Sequence, residues 1–297
     1  MINTTKLENR LATFGILFAA TMWGLIWYPL RLLDVAGMSG LWSSFVMYMA
    51  AALIAVPVFF RHRHLVRPVK KLLLALALAA GVANVAFVVA LIEGQVMRVM
   101  LLFYLSPIWT VILGHWWLNE RLSNRAKQLF ALAMLGSLIM LWNPQTGFPW
   151  PHQIADWLGL IAGIAFAANN VLARKLATTS MVLKTGVTWW GVVVVALLAI
   201  LWQRDSIPDV TMTTWFSAWM MGWFGIIAMT IAVLYGVAKM PVYRSAIIML
   251  FELIVAAVAA WLLTEEKMQL QEWLGGILIL LAAYGVARMN LTSERQR

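Results

Sequence analysis

The chain has 297 residues, of which 63% are hydrophobic and only 11% charged, where soluble domains carry about 45–50% apolar and about 25% charged residues. It has no cysteine, which excludes disulfides and thiolate metal ligands. The net charge of +10 sits on short connections between long apolar blocks, a topology signal and not a nucleic-acid surface.

Windows of membrane-spanning length, about 17–25 residues, predict ten helices at residues 11–33, 41–60, 72–92, 98–118, 127–142, 155–176, 182–202, 215–237, 243–263 and 272–288. Together they leave too little chain for a soluble domain. The sequence reads as an all-α polytopic membrane protein in contact with the lipid bilayer. Residues 11–33 are longer than the 7–15-residue core of a signal peptide and lack a small-x-small cleavage site, so they read as a retained first helix. That helix carries Trp23, Gly24, Trp27 and Pro29, and the proline predicts a kink near its outer end by freeing the Leu25 carbonyl.

The second helix is expected to stop at Pro57, before the basic loop RHRHLVRPVKK. His62 and His64 in that loop have no third ligand in view and read as solvated, so no metal site is assigned. The third helix contains Asn84 and ends at Glu93. The fourth, RVMLLFYLSPIWTVILGHWWLNERLS, holds Tyr104, Trp109 and, near its centre, Pro107, which is expected to turn the Phe103 carbonyl toward a cavity. Arg98 at its start reads as an outer-interface anchor or a receiver of substrate carboxylate. His115 near its end reads as an interfacial polar group or a proton relay. Glu120 and Arg121 read as a cap of the following turn or as a gate.

The Pro- and Gly-rich link NPQTGFPWPHQIAD separates two halves, residues 1–148 and 149–297, of one integral membrane domain. Asn169 and Asn170 of the sixth helix face different directions, so one of them, taken as Asn170, is a cavity candidate. The other, with Asn84 and Thr230, reads as helix–helix glue. Asn84 is kept among the substrate candidates as well. Most of the 17 tryptophans, Trp27, Trp116, Trp117, Trp150 and Trp273 among them, are expected in interfacial belts. Trp23 and Trp109 lie nearer mid-span and are candidates for stacking on an aromatic or cationic substrate.

The ninth helix, YRSAIIMLFELIVAAVAAW, is apolar apart from its start and holds one carboxylate, Glu252, near its middle. An acid there costs on the order of 2.5–3.5 kcal/mol on insertion scales, so a paired cation, a hydrogen-bonded cavity or a bound proton must offset it. Its default reading is functional. As the proton-coupling residue, Glu252 would exchange a proton for a cationic or ammonium-bearing substrate. As a structural group it would pair with Arg98 or Tyr104.

With the amino terminus cytoplasmic, all of the 22 Lys and Arg except Arg31, Arg98, Arg204 and Lys267 lie inside. Both termini are therefore expected in the cytoplasm. Pro107 and Glu252 are 145 residues apart, and that shift lays SPIWTVILGHWWLNERLS over FELIVAAVAAWLLTEEKM with Glu120 on Glu265. Five helices per half, an odd number, make the two copies inverted, as in many secondary transporters with a midplane site at the repeat interface.

This architecture resembles the drug/metabolite transporter superfamily, in its EamA-type ten-helix members. The residues carrying the resemblance are SPIWTVILGHWWLNERLS and, more weakly, FELIVAAVAAWLLTEE. The usual Glu-Pro pair stands here as Ser106-Pro107, and as Phe251-Glu252 in the second half. The resemblance implies a cytoplasmic-membrane exporter of small metabolites that works by alternating access.

No GxxxxGK[ST], HExxH or GxSxG pattern is present, so the sequence assigns no catalytic residue, enzymatic activity or cofactor. The function expected is export of amino-acid-like or amphipathic, cationic compounds by proton antiport. An uncoupled facilitator, an uptake permease and a non-transporting assembly partner stand as alternatives, and the homo-oligomeric state is open.

Overall fold

The computed structural model describes residues 2–61, 66–142, 150–264 and 268–289. In the first half α1 (Ile2–Val35), α2 (Gly40–Arg61) and α3 (Lys70–Glu93) are followed by a broken span, α4 (Val96–Phe103) and α5 (Ser106–Leu118), and by α6 (Asn124–Leu141). The second half repeats the order with α7 (Ile154–Lys175) and α8 (Met181–Gln203). Its third span is α9 (Met212–Met220), a π-helical stretch (Met221–Ile226) and α10 (Ile227–Lys239). Then come a second broken span, α11 (Val242–Met249) and α12 (Phe251–Leu263), and α13 (Leu270–Ala287). Nine stretches among the described residues are long and apolar enough to cross a membrane. The tenth helix, α6, opens on Asn-Arg-Ala-Lys-Gln and is less apolar, yet it packs along α13.

Local chemistry sets the helix ends. Ser123 caps α6 by accepting from the Ala126 N–H at 3.3 Å. Gln153 with Asp156, and Gln269 with Glu272, close capping boxes on α7 and α13. Asn119 ends α5 in the left-handed region at φ 55°, where asparagine substitutes for glycine at little cost.

The halves interlock. Each span's most extensive packing is against a span of the other half: α1 on α10, α3 on α7, α2 on α8, and α6 on α13. The pattern maps onto itself when the halves are exchanged. Thus α1 lies against α11 and α12 as α7 lies against α4 and α5. With five spans in each half, the second begins on the membrane face opposite the first.

Without water to drive helices together, backbone approach carries the packing. Gly136 of α6 and Gly275 of α13 oppose each other: a Cβ on Gly136 would stand 2.7 Å from the Gly275 carbonyl oxygen, and one on Gly275 would stand 2.5 Å from that of Gly136. Gly81 of α3 lies against the Gly191 backbone of α8 in the same way.

The helices differ in detail from the sequence windows. The helix α1 runs through Pro29, and α2 continues past Pro57 to Arg61, because tertiary packing holds a helix whose ladder has lost one donor. The fourth and ninth spans are each two helices. The eighth carries a π-bulge, where Gly222 packs on the Met47 backbone and the Trp223 indole donates to the Ala50 carbonyl at 3.1 Å. His62, His64, Glu265 and the link at 143–149 lie outside the described residues.

Substituting Gly275→Leu forces α6 and α13 apart. It should destabilise the protein by about 1–3 kcal/mol, read as a lowered melting temperature in detergent, whereas Leu281→Ala on the exposed face of α13 should leave the melt nearly unchanged.

Candidate functional site

The two helix breaks meet near the centre of the fold. In the first half the chain leaves α4 at Tyr104 and Leu105 and restarts as α5; in the second it leaves α11 at Leu250 and restarts as α12. Both restarting helices have 13 residues, Ser106–Leu118 and Phe251–Leu263, in the same 145-residue register that the sequence repeat gives. Pro107 and Glu252 therefore share one structural role in the first turn of a half-helix. Each half-helix start leaves backbone donors without intrahelical acceptors. Proline contributes no donor there, and a carboxylate is stabilised there by the helix dipole.

Between the breaks lies a cavity lined by Phe103, Tyr104, Ser106, Pro107, Thr110, Phe166, Asn170, Ala246, Met249, Leu250 and Glu252. Its walls come from α4, α5 and α11–α12 together with α7, so both halves build it. The Tyr104 hydroxyl donates to Oε1 of Glu252 at 2.6 Å, a hydrogen bond across the two breaks. Asn170 is 5% exposed and supplies an amide. The Phe103 ring is 5.4 Å from Tyr104 and 5.6 Å from Phe166, with Phe87 behind it at 4.5 Å. The cavity's volume of about 20 Å³ has room for about one water. A space of that size holds no metabolite.

Four of the residues singled out in the sequence, Tyr104, Pro107, Asn170 and Glu252, line this cavity. Trp23, Trp109 and Asn84 do not. Trp23 packs between the two main apolar clusters, and Asn84 lies near Tyr48 of α2. The Phe103 carbonyl does not face the cavity: it rests on α7, where a Cβ on Gly163 would be 2.7 Å away. Of the two partners considered for Glu252, the structure brings Tyr104. Arg98 is committed elsewhere. Gly24 of α1 takes the Glu252 backbone, its absent Cβ leaving room 2.6 Å from the Glu252 carbonyl oxygen.

The sequence reading singled out Arg98 and Glu120 but missed their partners, Asp156 and Arg174, at the two ends. At one end Arg98 pairs with Asp156 of α7 at 2.8 Å, with side chains 11% and 2% exposed, and also donates to the Trp150 carbonyl at 2.8 Å. Beside it the Ser39 hydroxyl donates to Asp205 at 2.7 Å. The acid in the first turn of the sixth helix was the available signal for this pair. At the opposite end Arg174 of α7 pairs with Glu120 at 3.3 Å and donates to the Ala238 carbonyl at the end of α10. Glu120 in turn accepts from the Val242 N–H at the start of α11 at 2.8 Å. The left-handed Asn119 aims Glu120 back across the bundle. One carboxylate and one guanidinium thus join four helix ends from both halves. Of the expected interfacial tryptophans, Trp116, Trp117, Trp150 and Trp273 are exposed, whereas Trp27 is half-buried with its ring 5.6 Å from Tyr28. Thr230 accepts from the Trp189 indole of α8 at 3.1 Å, a helix–helix tie.

A model of the EamA-like transporter family matches residues 10–142 and again residues 153–288. A search of curated proteins gives no significant match. Among solved structures, a crystal structure of another protein superposes with a TM-score of 0.72 over 96% of this chain and 98% of its own, at 13% sequence identity. That likeness is one of fold.

Because the chain lacks cysteine, Thr110→Cys places a single thiol in the cavity. Adding Glu120→Gln should speed its reaction with a membrane-impermeant thiol reagent several-fold by releasing the four tied helix ends. An unchanged rate would show that the Glu120–Arg174 pair does not hold that end closed.

Proposed function

Because the chain belongs to the EamA-like transporter family over both of its halves, we propose that it exports small ammonium-bearing or amino-acid-like compounds across the cytoplasmic membrane in exchange for protons, with both termini in the cytoplasm. Members of this family are membrane transporters of small compounds and not enzymes.

The observation that carries the reading is the Tyr104–Glu252 hydrogen bond in a cavity built from both helix breaks. A carboxylate in that position binds either a proton or an ammonium group. Competition between the two for one acid is the least machinery antiport requires. Tyr104 holds Glu252 when neither a proton nor a substrate does, which offsets part of the cost of an acid in hydrocarbon. The Phe103 and Phe166 rings offer apolar contact, and a cation over an aromatic face gains about 0.5–2 kcal/mol. Asn170 supplies hydrogen bonds of either polarity.

The cavity admits no metabolite in this form, so the halves must move apart at one end at a time. The end pairs Arg98–Asp156 and Glu120–Arg174 are suited to alternate: breaking one while the other holds exposes the cavity to one side. The distribution of Lys and Arg supports the orientation.

The test is transport by the purified protein in proteoliposomes holding an interior pH dye, challenged with a panel of organic amines and amino acids. One class should drive proton movement in the wild type, and Glu252→Gln should abolish that movement while leaving the protein folded. Equal substrate flux in both proteins without proton movement would make Glu252 structural and the protein a facilitator. Loss of folding in Glu252→Gln, with no flux in the wild type, would favour a non-transporting membrane partner.

A further inference from the structure

A second cavity lies away from the central one, on the outer surface of the bundle where α3 and α8 cross beside α2. It is a groove of about 640 Å³, walled by Leu74 and Leu78 of α3 and by Val187, Trp190 and Val194 of α8, with Lys70 at one end. Leu74, Leu78 and Val194 are exposed, so the groove opens sideways to the hydrocarbon. At roughly 30 Å³ for each unit the size of a water or a methylene, it holds a chain of about twenty such units. The close approach of Gly191 to Ala77 forms its floor.

The Lys70 end is strongly basic. Arg67, Lys70 and Lys71 are exposed there, and among the described residues no carboxylate lines the groove. The described acids at this end of the bundle, Glu8 and Glu120, are engaged by Lys239 and Arg174. A further observation comes from α8. Lys184 is 1% exposed, and among the described residues its side chain makes no hydrogen bond or ion pair. Its spacing to Val187, Gly191 and Val195 puts it on the stripe of α8 that faces the groove. An ammonium in so apolar a setting gains from an anion beside it, and a phosphate reached along the lysine stem would supply one.

We propose that this groove is a binding site for an anionic glycerophospholipid of the surrounding bilayer, one acyl chain lying between α3 and α8 and the headgroup phosphate held by Lys70 and Lys184. The site is distinct from the central cavity, shares no lining residue with it, and does not depend on which substrate is carried. It explains why a lysine is buried at the basic end of an apolar groove.

The test is native mass spectrometry of the full-length protein released from nanodiscs containing equal amounts of dioleoylphosphatidylglycerol and dioleoylphosphatidylcholine. The wild type should retain one phosphatidylglycerol in preference to phosphatidylcholine. Lys70→Gln and Lys184→Gln should each weaken that preference about fivefold, the effect of about 1 kcal/mol per cation near a lipid surface. Lys184→Arg should preserve it. Leu74→Trp, which fills the groove and leaves every charge in place, should displace the lipid; should Lys184→Gln fail to fold, Lys70→Gln and Leu74→Trp decide. Equal retention of the two lipids by the wild type would overturn the proposal. So would a preference untouched by Lys70→Gln and Leu74→Trp, or a lipid-free dimer whose contact covers the groove.

Discussion

In hydrocarbon every backbone N–H and C=O must find a partner within the protein, and this fold interrupts two of its spans at mid-depth. The interruptions at Tyr104–Leu105 and at Leu250 are sustainable only because other helices cover them. On one side α7 brings Gly159 and Gly163 against the backbone of Val99 and Phe103. On the other α1 brings Gly24 against the backbone at Glu252. Much of the architecture serves this covering: the helices that seal each break belong to the opposite half, so neither half closes its own interruption.

Covering the breaks also concentrates polar groups where a transporter needs them. A half-helix start is electropositive, and the two halves use that property differently. The first half places a proline in the first turn and withdraws a donor. The second places a carboxylate there and ties it by Tyr104 to the first half's break. The repeat is thus symmetric in backbone and asymmetric in chemistry, with one carboxylate at the centre.

The ion pairs at the two ends divide the labour with the glycines. Close backbone contacts such as Gly136 on Gly275 and Gly81 on Gly191 are short-range and permit little sliding. They suit surfaces that stay together. Arg98–Asp156 and Glu120–Arg174 join through long side chains, which in the proposed cycle would separate and re-form. The π-bulge at Met221–Ile226 adds a place where a span carries an irregular turn, a feature often found at functional sites.

The sequence alone determined the class of the molecule, because hydrocarbon thickness is a length requirement that any apolar run either meets or fails. It also determined the repeat: the 145-residue register that pairs Pro107 with Glu252 is the register in which α5 and α12 begin and end. Glu252 was legible because an acid in an apolar span has few reasons to be there, and Tyr104 was one of two partners the sequence allowed. What it did not contain was which side chains converge. Trp23, Trp109 and Asn84 are as near mid-span as Asn170, yet only Asn170 faces the breaks. Asp156 and Arg174 are charges at the ends of α7, and only folding sets them opposite Arg98 and Glu120. Depth in the membrane is written along the chain by hydropathy. The facing of a helix about its own axis is fixed by the neighbours it packs against, and those neighbours come from the other half, more than a hundred residues away for Tyr104 and Glu252.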